Sequence, residues 1–287
     1  MLNDIELKKG KGRAVYIAVV LLLLIGIPFQ IFPYFWMLTN SFKTDLEIIQ
    51  VPPSFIPNEW SFAGIIQTFQ VYNLWGNLAN TLILCFGVIL TQVPISAMAA
   101  YSISKLKPKY GHVVLLLFVG SMMISNQALM FPLFLMMSNV PILNINLINS
   151  VWAYILPSTS WGFTIFLFKG FFDALPDELL EASRIDGADS FRSFIRIALP
   201  LSKPVMAVNV LTTFMAVYND YLYPTLVLPS EQNWPMMLRI FFSQGASRAT
   251  WNNVMVMLTV STIPVLLIYL LAQKQVVQGI AMTGLKG

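Results

Sequence analysis

The chain is short of the side chains that do chemistry. It carries one cysteine and one histidine among 287 residues, and only 10% of its residues are charged. A single cysteine, Cys85, excludes a disulfide within the chain and a cysteine-based metal site. The lone histidine, His112, follows Lys105, Lys107 and Lys109 at the edge of an apolar run. That placement reads as a partly solvated interfacial side chain rather than a ligand. There is no G-x-x-x-x-G-K-S/T loop, so the chain has no Walker-type phosphate cradle of its own. With one peripheral histidine, one buried cysteine and one acid inside an apolar run, Asp220, no catalytic pair or metal set can be assembled.

Apolar residues are abundant instead, at 57% of the chain with a mean hydropathy of +0.71. That excludes an ordinary soluble domain. Six apolar runs, at about 14–38, 78–103, 113–137, 151–172, 205–228 and 254–271, are each long enough to cross a bilayer core. The expectation is an all-α membrane protein of six transmembrane helices, forming a single domain over residues 1–287. No internal repeat and no second-domain boundary is visible. The first run is too long for a cleavable signal peptide and lacks a small-x-small exit. Pro28, Pro94, Pro132, Pro157, Pro224 and Pro264 fall in or near the runs, where neighbouring helices can satisfy the freed backbone.

The basic residues divide by side. Of the 17, all but Lys43, Arg239 and Arg248 fall before the first run, in the alternate connections, at the inner end of the fourth run (Lys169), or after the last run. This bias places both termini in the cytoplasm. The net charge of +4 is thus an orientation signal, not a nucleic-acid one. Segments 40–75, 138–150 and 229–251 lie outside.

Between the fourth and fifth runs the sequence turns polar, over 174–204. With Asp173 this stretch holds the acids Asp177, Glu178, Glu181, Asp186 and Asp189, and the bases Arg184, Arg192, Arg196 and Lys203. Pro176 suits a helix start, and the acids after it suit the positive end of the helix dipole. Leu179, Leu180, Ala182 and Ile185 form an apolar stripe. Gly187 is a left-handed stop, and Asp189 caps a second helix. On that helix Phe191, Phe194, Ile195 and Ala198 share one face, and Pro200 and Pro204 end it. By pattern alone, an amphipathic hairpin lying on the membrane surface and a docking element are equally open.

Glu181-Ala182-Ser183, Asp186-Gly187-Ala188 and Ile197-Ala198-Leu199-Pro200 keep the order and spacing of a known pattern. The stretch resembles the EAA motif of ABC-importer permeases, with Ser183 in place of the second alanine. The likeness extends along the chain. Phe32 to Met37 with Ser41-Phe42-Lys43, Asn80-Thr81, Ala99 to Lys105, and Pro132-Leu133-Phe134 look like patterns of carbohydrate importer permeases. Tyr218-Asn219-Asp220-Tyr221-Leu222-Tyr223-Pro224 is similar to their fifth-span run, with Tyr218 where tryptophan is usual. Gln278-Gly279 and Gly284 to Gly287 resemble the family's ending, with the middle glycine one place late. The family is the membrane subunit of type I ABC sugar importers, the maltose-permease-G-like branch.

The resemblance implies a role. The chain would pair with a second, related permease to form the pore. Two cytoplasmic ATPases, which bind the ATP and magnesium, would dock on a coupling hairpin between spans four and five. An extracytoplasmic sugar-binding protein would deliver the substrate, touching the 229–251 segment, and the tail at 278–287 would reach toward the ATPases. No cofactor is expected in this chain, which would not itself be an enzyme. Glu181, Ala182, Ser183, Asp186, Gly187, Ala188, Leu199 and Pro200 are the coupling candidates. Tyr218, Asn219, Asp220, Tyr221 and Tyr223 are the substrate-pathway candidates. Asp220 is expected about four turns into the fifth span, with Pro224 breaking the helix beyond it, and pairing of Asp220 with another subunit is the structural alternative. A proton-coupled carrier using Asp220 and an ABC permease for a non-sugar solute are the rival functions.

Overall fold

The computed structural model describes residues 10–245 and 249–284, with side chains described over 14–244 and 249–273. The basic residues Lys8, Lys9, Lys286 and Arg248, and the Leu285-Lys286-Gly287 end, lie outside the described residues. The side chains of Lys11, Arg13 and Lys274 lie outside them too. Helix dominates, and among the described residues the one strand-like feature is an isolated bridge between Val140 and Ile145.

The helices, in chain order, are α1 (Gly10–Asn40), α2 (Asp45–Ile48), α3 (Ala63–Tyr72), α4 (Leu74–Tyr101), α5 (Gly111–Ser121), α6 (Asn126–Ser138) and α7 (Val151–Ile155). They continue as α8 (Gly162–Asp173), α9 (Glu178–Ile185), α10 (Ser190–Leu201), α11 (Lys203–Tyr218), α12 (Leu222–Val227), α13 (Met236–Gly245) and α14 (Trp251–Gly284).

Three helical stretches are long and apolar enough to cross a membrane: Ala14–Asn40, Leu74–Leu106 and Trp251–Gln273. Two bent pairs raise the count to five. The sequence reads as six apolar runs, and three of these runs are broken in the structure. The 113–137 run is α5 and α6, bent by 105° at Met122–Ser125. The 151–172 run is α7, a 3-10 turn at Pro157–Thr159, and α8. Pro157 donates no N–H, so the α-helical ladder cannot run through it. The 205–228 run is α11 and α12, separated at Asn219–Tyr221. Hydropathy sums side chains and is blind to backbone direction, so an apolar break reads as continuous helix.

The residues group into two compact units, Met1–Tyr72 with Ser243–Val260, and Asn73–Phe242 with Ser261–Gly287. In the first, α1 exposes apolar side chains all round, Leu22 at 73% and Phe29 at 76% among them. Its C-terminal end is closed by Asn252, whose amide donates to the carbonyls of Asn40 (3.2 Å), Ser41 (3.1 Å) and Lys43 (2.7 Å). In return Asp45 accepts from the Asn252 backbone N–H at 2.9 Å, capping the start of α14. A side chain at Gly64 would run into Asn252, so glycine is required there. Lys43 is buried, donates to Ser54 O at 2.6 Å and lies 5.0 Å over the Trp36 ring. The 40–75 segment, read from sequence as external, contains two helices and a set of internal bonds.

The second unit is built on α4, which packs against α8 and α11. Toward one end Leu84, Cys85 and Val88 join Tyr154, Phe214 and Tyr218. Toward the other, Ala97, Ala100 and Tyr101 join Phe168, Phe172 and Phe194. Between apolar helices such contacts hold by close packing and interhelical hydrogen bonds rather than by expelling water. Thr213 accordingly donates to the buried Gln92 at 3.0 Å. One helical turn further along each helix, Ser96 and Asn209 are fully buried without a hydrogen-bond partner.

Candidate functional site

The polar stretch folds as the hairpin its residues call for. α9 begins after Asp177 and ends on Gly187, at φ 81°. Gly187 N–H donates to Arg184 O (3.0 Å) and Ala188 N–H to Ser183 O (2.9 Å). This left-handed closure is one that glycine adopts without strain. Asp189 then caps α10, accepting from Arg192 N–H at 2.7 Å.

The faces differ from the sequence expectation. Of the expected α9 stripe only Leu180 is buried, while Ile185 is 87% exposed. On α10, Phe194 and Ala198 point inward, and Phe191 (61%) and Ile195 (45%) point out. α10 also carries a π-helical stretch, Phe194–Ala198, whose wider turn departs from the 3.6-residue pattern within that helix. Pro200 does not end α10, which continues to Leu201, and Pro204 lies in the first turn of α11. The chain instead turns by 77° between these helices.

Of the coupling candidates, Glu181, Ala182, Asp186, Gly187 and Pro200 are exposed, and Ala188 and Leu199 are half-buried. Ser183 is buried and shares a 2.7 Å hydrogen bond with Ser193, tying α9 to α10. The hairpin thus presents Ile185, Phe191 and Ile195 outward beside exposed Glu181, Arg184 and Arg192. Exposed apolar groups with a charged rim mark a surface for a partner or a lipid.

The hairpin is anchored by the end of α4. That helix closes in a π turn, Ser102–Leu106. Tyr101 packs on Phe172 (5.7 Å between ring centres) and Phe194 (5.1 Å). Ser104 donates to Asp173 at 2.6 Å, and Lys169 holds the other oxygen of that carboxylate. Lys105 donates to Leu175 O at 2.6 Å and pairs with Asp177 at 2.5 Å. The hydrogen bond and charge of Lys105 hold the Asp177 carboxyl below its ordinary range.

Asp220 stands in the break between α11 and α12, not within a helix. Its carboxylate accepts from the Tyr154 hydroxyl (2.9 Å), Leu222 N–H (3.0 Å) and Tyr223 N–H (3.4 Å). It caps α12 and ties it to α7. The helix therefore breaks before Pro224, which sits in the first turn of α12. Tyr223 donates to Ala153 O at 3.1 Å, and Tyr218 to Ser261 O at 2.6 Å. Tyr221 stacks on Phe241 at 4.7 Å. Asn219 is exposed, with its amide nitrogen on Met215 O. The five pathway candidates are thus adjacent, with Tyr218 and Tyr223 facing inward and Asn219 outward.

Residues that sequence reading did not single out complete both sites: Ser104, Lys105 and Tyr154. Asn80 and Thr81 also gain a role. Asn80 donates to Gln232 O (2.7 Å), and Thr81 accepts from Met236 N–H (2.8 Å), fixing the segment before α13.

The model of the family described as "Binding-protein-dependent transport system inner membrane component" matches residues 92–282, and the chain belongs to that family. It is 32% identical over 277 residues to a probable starch degradation products transport system permease protein, AmyC, of Thermoanaerobacterium thermosulfurigenes, covering 93% of this chain and 97% of that one. It is 29% identical over 269 residues to the sn-glycerol-3-phosphate transport system permease protein UgpE of Yersinia enterocolitica, covering 90% and 93%. Its fold matches a chain of a bacterial ABC transporter involved in the import of the acidic polysaccharide alginate. There the TM-score is 0.82 at 21% identity, over 93% of this chain and 98% of that one. The chain is a multi-pass membrane protein and a transport subunit.

Proposed function

We propose that the chain is the membrane subunit of an ATP-driven, binding-protein-dependent importer of carbohydrate, forming half of the translocation pore beside a second, related permease. Two cytoplasmic ATPases carry ATP and magnesium and dock on the α9–α10 hairpin, and an extracytoplasmic sugar-binding protein delivers the solute. Residues 1–287 act as one permease with six crossings, the stretch from α7 to α8 serving as the fourth. Both termini and the hairpin lie in the cytoplasm, in keeping with the lysine and arginine bias.

The observation that carries this reading is the hairpin. It is a charged, glycine-closed element fixed to α4, with apolar residues turned outward. Glu181, Ala182, Asp186 and Gly187 contact the ATPase cleft, while Ser183, Ala188, Leu199 and Pro200 hold the hairpin's shape. Carbohydrate is favoured because the break at Asn219–Tyr221 offers amide, phenol and carboxylate groups with an aromatic stack. These suit hydroxyls and sugar ring faces. Asn219 and Tyr221 line the path, and Asp220, Tyr218 and Tyr223 position them. The likeness to a glycerol-phosphate permease favours a phosphorylated polyol as the second reading, but the break supplies no cation to receive a phosphate.

The test is reconstitution of the permease pair with its ATPases and binding protein in liposomes, with the solute identified on the purified binding protein. Binding-protein-stimulated ATP hydrolysis and uptake of an oligosaccharide are expected. Uptake by the permease without the ATPases, driven by a proton gradient, would contradict the proposal.

A further inference from the structure

We propose that Lys105 is a positioning residue that passes movement of the hairpin into α4 and so into the membrane helices. This rests on reading the hairpin as the ATPase dock, and it adds the route by which docking reaches the pore.

Tyr101 ends the α-helical part of α4, and Ser104 and Lys105 stand in the π turn that follows it, all three turned toward the hairpin assembly. Each meets a different part of the hairpin assembly. Tyr101 touches Phe194 of α10, Ser104 holds Asp173 at the end of α8, and Lys105 holds the elbow between α8 and α9. That elbow is short, running from Ala174 to Asp177. One ammonium group grips it twice, at the Leu175 carbonyl and at the Asp177 carboxylate. The angle at which the hairpin leaves α8 is thereby referred to α4.

Burial separates this lysine from its neighbour. The Lys105 side chain is 5% exposed, whereas that of Lys107 is 72% exposed and lies 3.8 Å from the other Asp177 oxygen. A buried ammonium is held in place only where its donors are satisfied, and removing its partner is costly. An exposed pair contributes little. Lys105 is therefore geometrically committed to the elbow, and Lys107 is not. The Tyr101–Phe194 ring contact, which also joins α4 to the hairpin, is non-directional and tolerates sliding. The Lys105 bonds are short and directional, so a displacement of the elbow must either carry α4 with it or break them.

The experiment uses the complete transporter in liposomes, with ATPases and binding protein, and reads ATPase retention, stimulated ATP hydrolysis and solute taken up per ATP. Lys105→Met keeps the apolar stem and removes the ammonium. Its ATPases are expected to stay bound while uptake per ATP falls about five- to tenfold. Lys105→Arg should restore most of the loss, and Lys107→Met should stay within about twofold of wild type. Uptake per ATP within about twofold of wild type in a Lys105→Met complex that retains its ATPases would overturn the proposal, as would a Lys105→Arg variant as defective as Lys105→Met. Should Lys105→Met fail to assemble, Asp177→Asn gives the same readout from an exposed position. Reduced uptake per ATP there supports the route, and unchanged uptake per ATP overturns it. Failure of the dock reading itself shows elsewhere, as ATPase retention by a Gly187→Trp complex equal to wild type.

Discussion

The two ends of the second unit solve the same problem in opposite ways. Each joins short helices to the body at a break in an apolar run. At the Asp220 end every named bond closes inward: one carboxylate takes three donors, and the hydroxyls of Tyr218 and Tyr223 reach backbone carbonyls. At the hairpin end the inner face is tied by Lys105, Ser104 and Ser183, while Ile185, Phe191 and Ile195 face out. The first end satisfies Asp220, Tyr218 and Tyr223 within the chain and leaves Asn219 exposed. The second leaves a shaped surface that a single chain does not cover. Self-satisfaction marks a joint that holds the fold, and a well-anchored but uncovered surface marks a joint that meets a partner.

Breaking the open end should have the largest effect. Gly187 has φ 81°, and no atom lies within 4 Å of the place where the first carbon of a side chain would stand, so a bulky residue projects outward from a strained backbone. Gly187→Trp is expected to lower ATPase association by about tenfold or more while membrane insertion persists, measured by co-purification. Breaking the closed end should instead cost stability. Asp220→Ala strands the buried Tyr154 hydroxyl and two N–H groups, at about 3 kcal/mol, read as a lowered Tm of the detergent-solubilised protein. Asp220→Asn keeps the size and one acceptor, so a smaller loss is expected. A change of solute preference without loss of Tm would show that Asp220 serves the path rather than the joint.

Asn209→Leu sharpens the comparison from the interior. It replaces a buried amide without partners by an apolar side chain, and an increase in stability of about 1 kcal/mol is expected. Ser183→Ala removes the α9–α10 bond but leaves Ser193 its bond to Asp189 O, so a loss of about 1 kcal/mol follows, seen as faster hydrogen exchange in α9. The smallest effect is that of pH. Asp177 is held below its ordinary range by the hydrogen bond and charge of Lys105. A carboxyl with a depressed folded-state value contributes stability that is present above its unfolded value and lost as pH falls through the folded one. Exchange protection in α9 should therefore hold at about pH 5 and decline only below about pH 4.

Much of this was legible in the residues. Gly187 and Asp189 define their turn and cap by local chemistry, and the structure places both as the sequence requires. The six apolar runs reveal a multi-pass helical body, but not the 105° bend between α5 and α6, because Met122 to Ile124 are as apolar as the helices beside them. The outward turn of Ile185 follows from its place as the last residue of α9, just before the Gly187 closure, and the π stretch Phe194–Ala198 in α10 is a departure that no 3.6-residue count anticipates. Asp220 read as a lone acid in a span because its partners, Tyr154 and the α12 amides, become neighbours only when the helix breaks. Lys105 read as an orientation charge, since its elbow lies 70 residues further along the chain.

On the proposed function, the uncovered face of the hairpin meets the ATPase. A photo-reactive side chain at position 185 in the assembled transporter tests it most directly, with position 90 on an exposed face of α4 as the control. The account predicts a covalent adduct from position 185 to the ATPase subunit and none from position 90. Adducts from position 185 to lipid alone, in a complex that retains its ATPases, would contradict it and leave the hairpin an amphipathic element of the membrane surface.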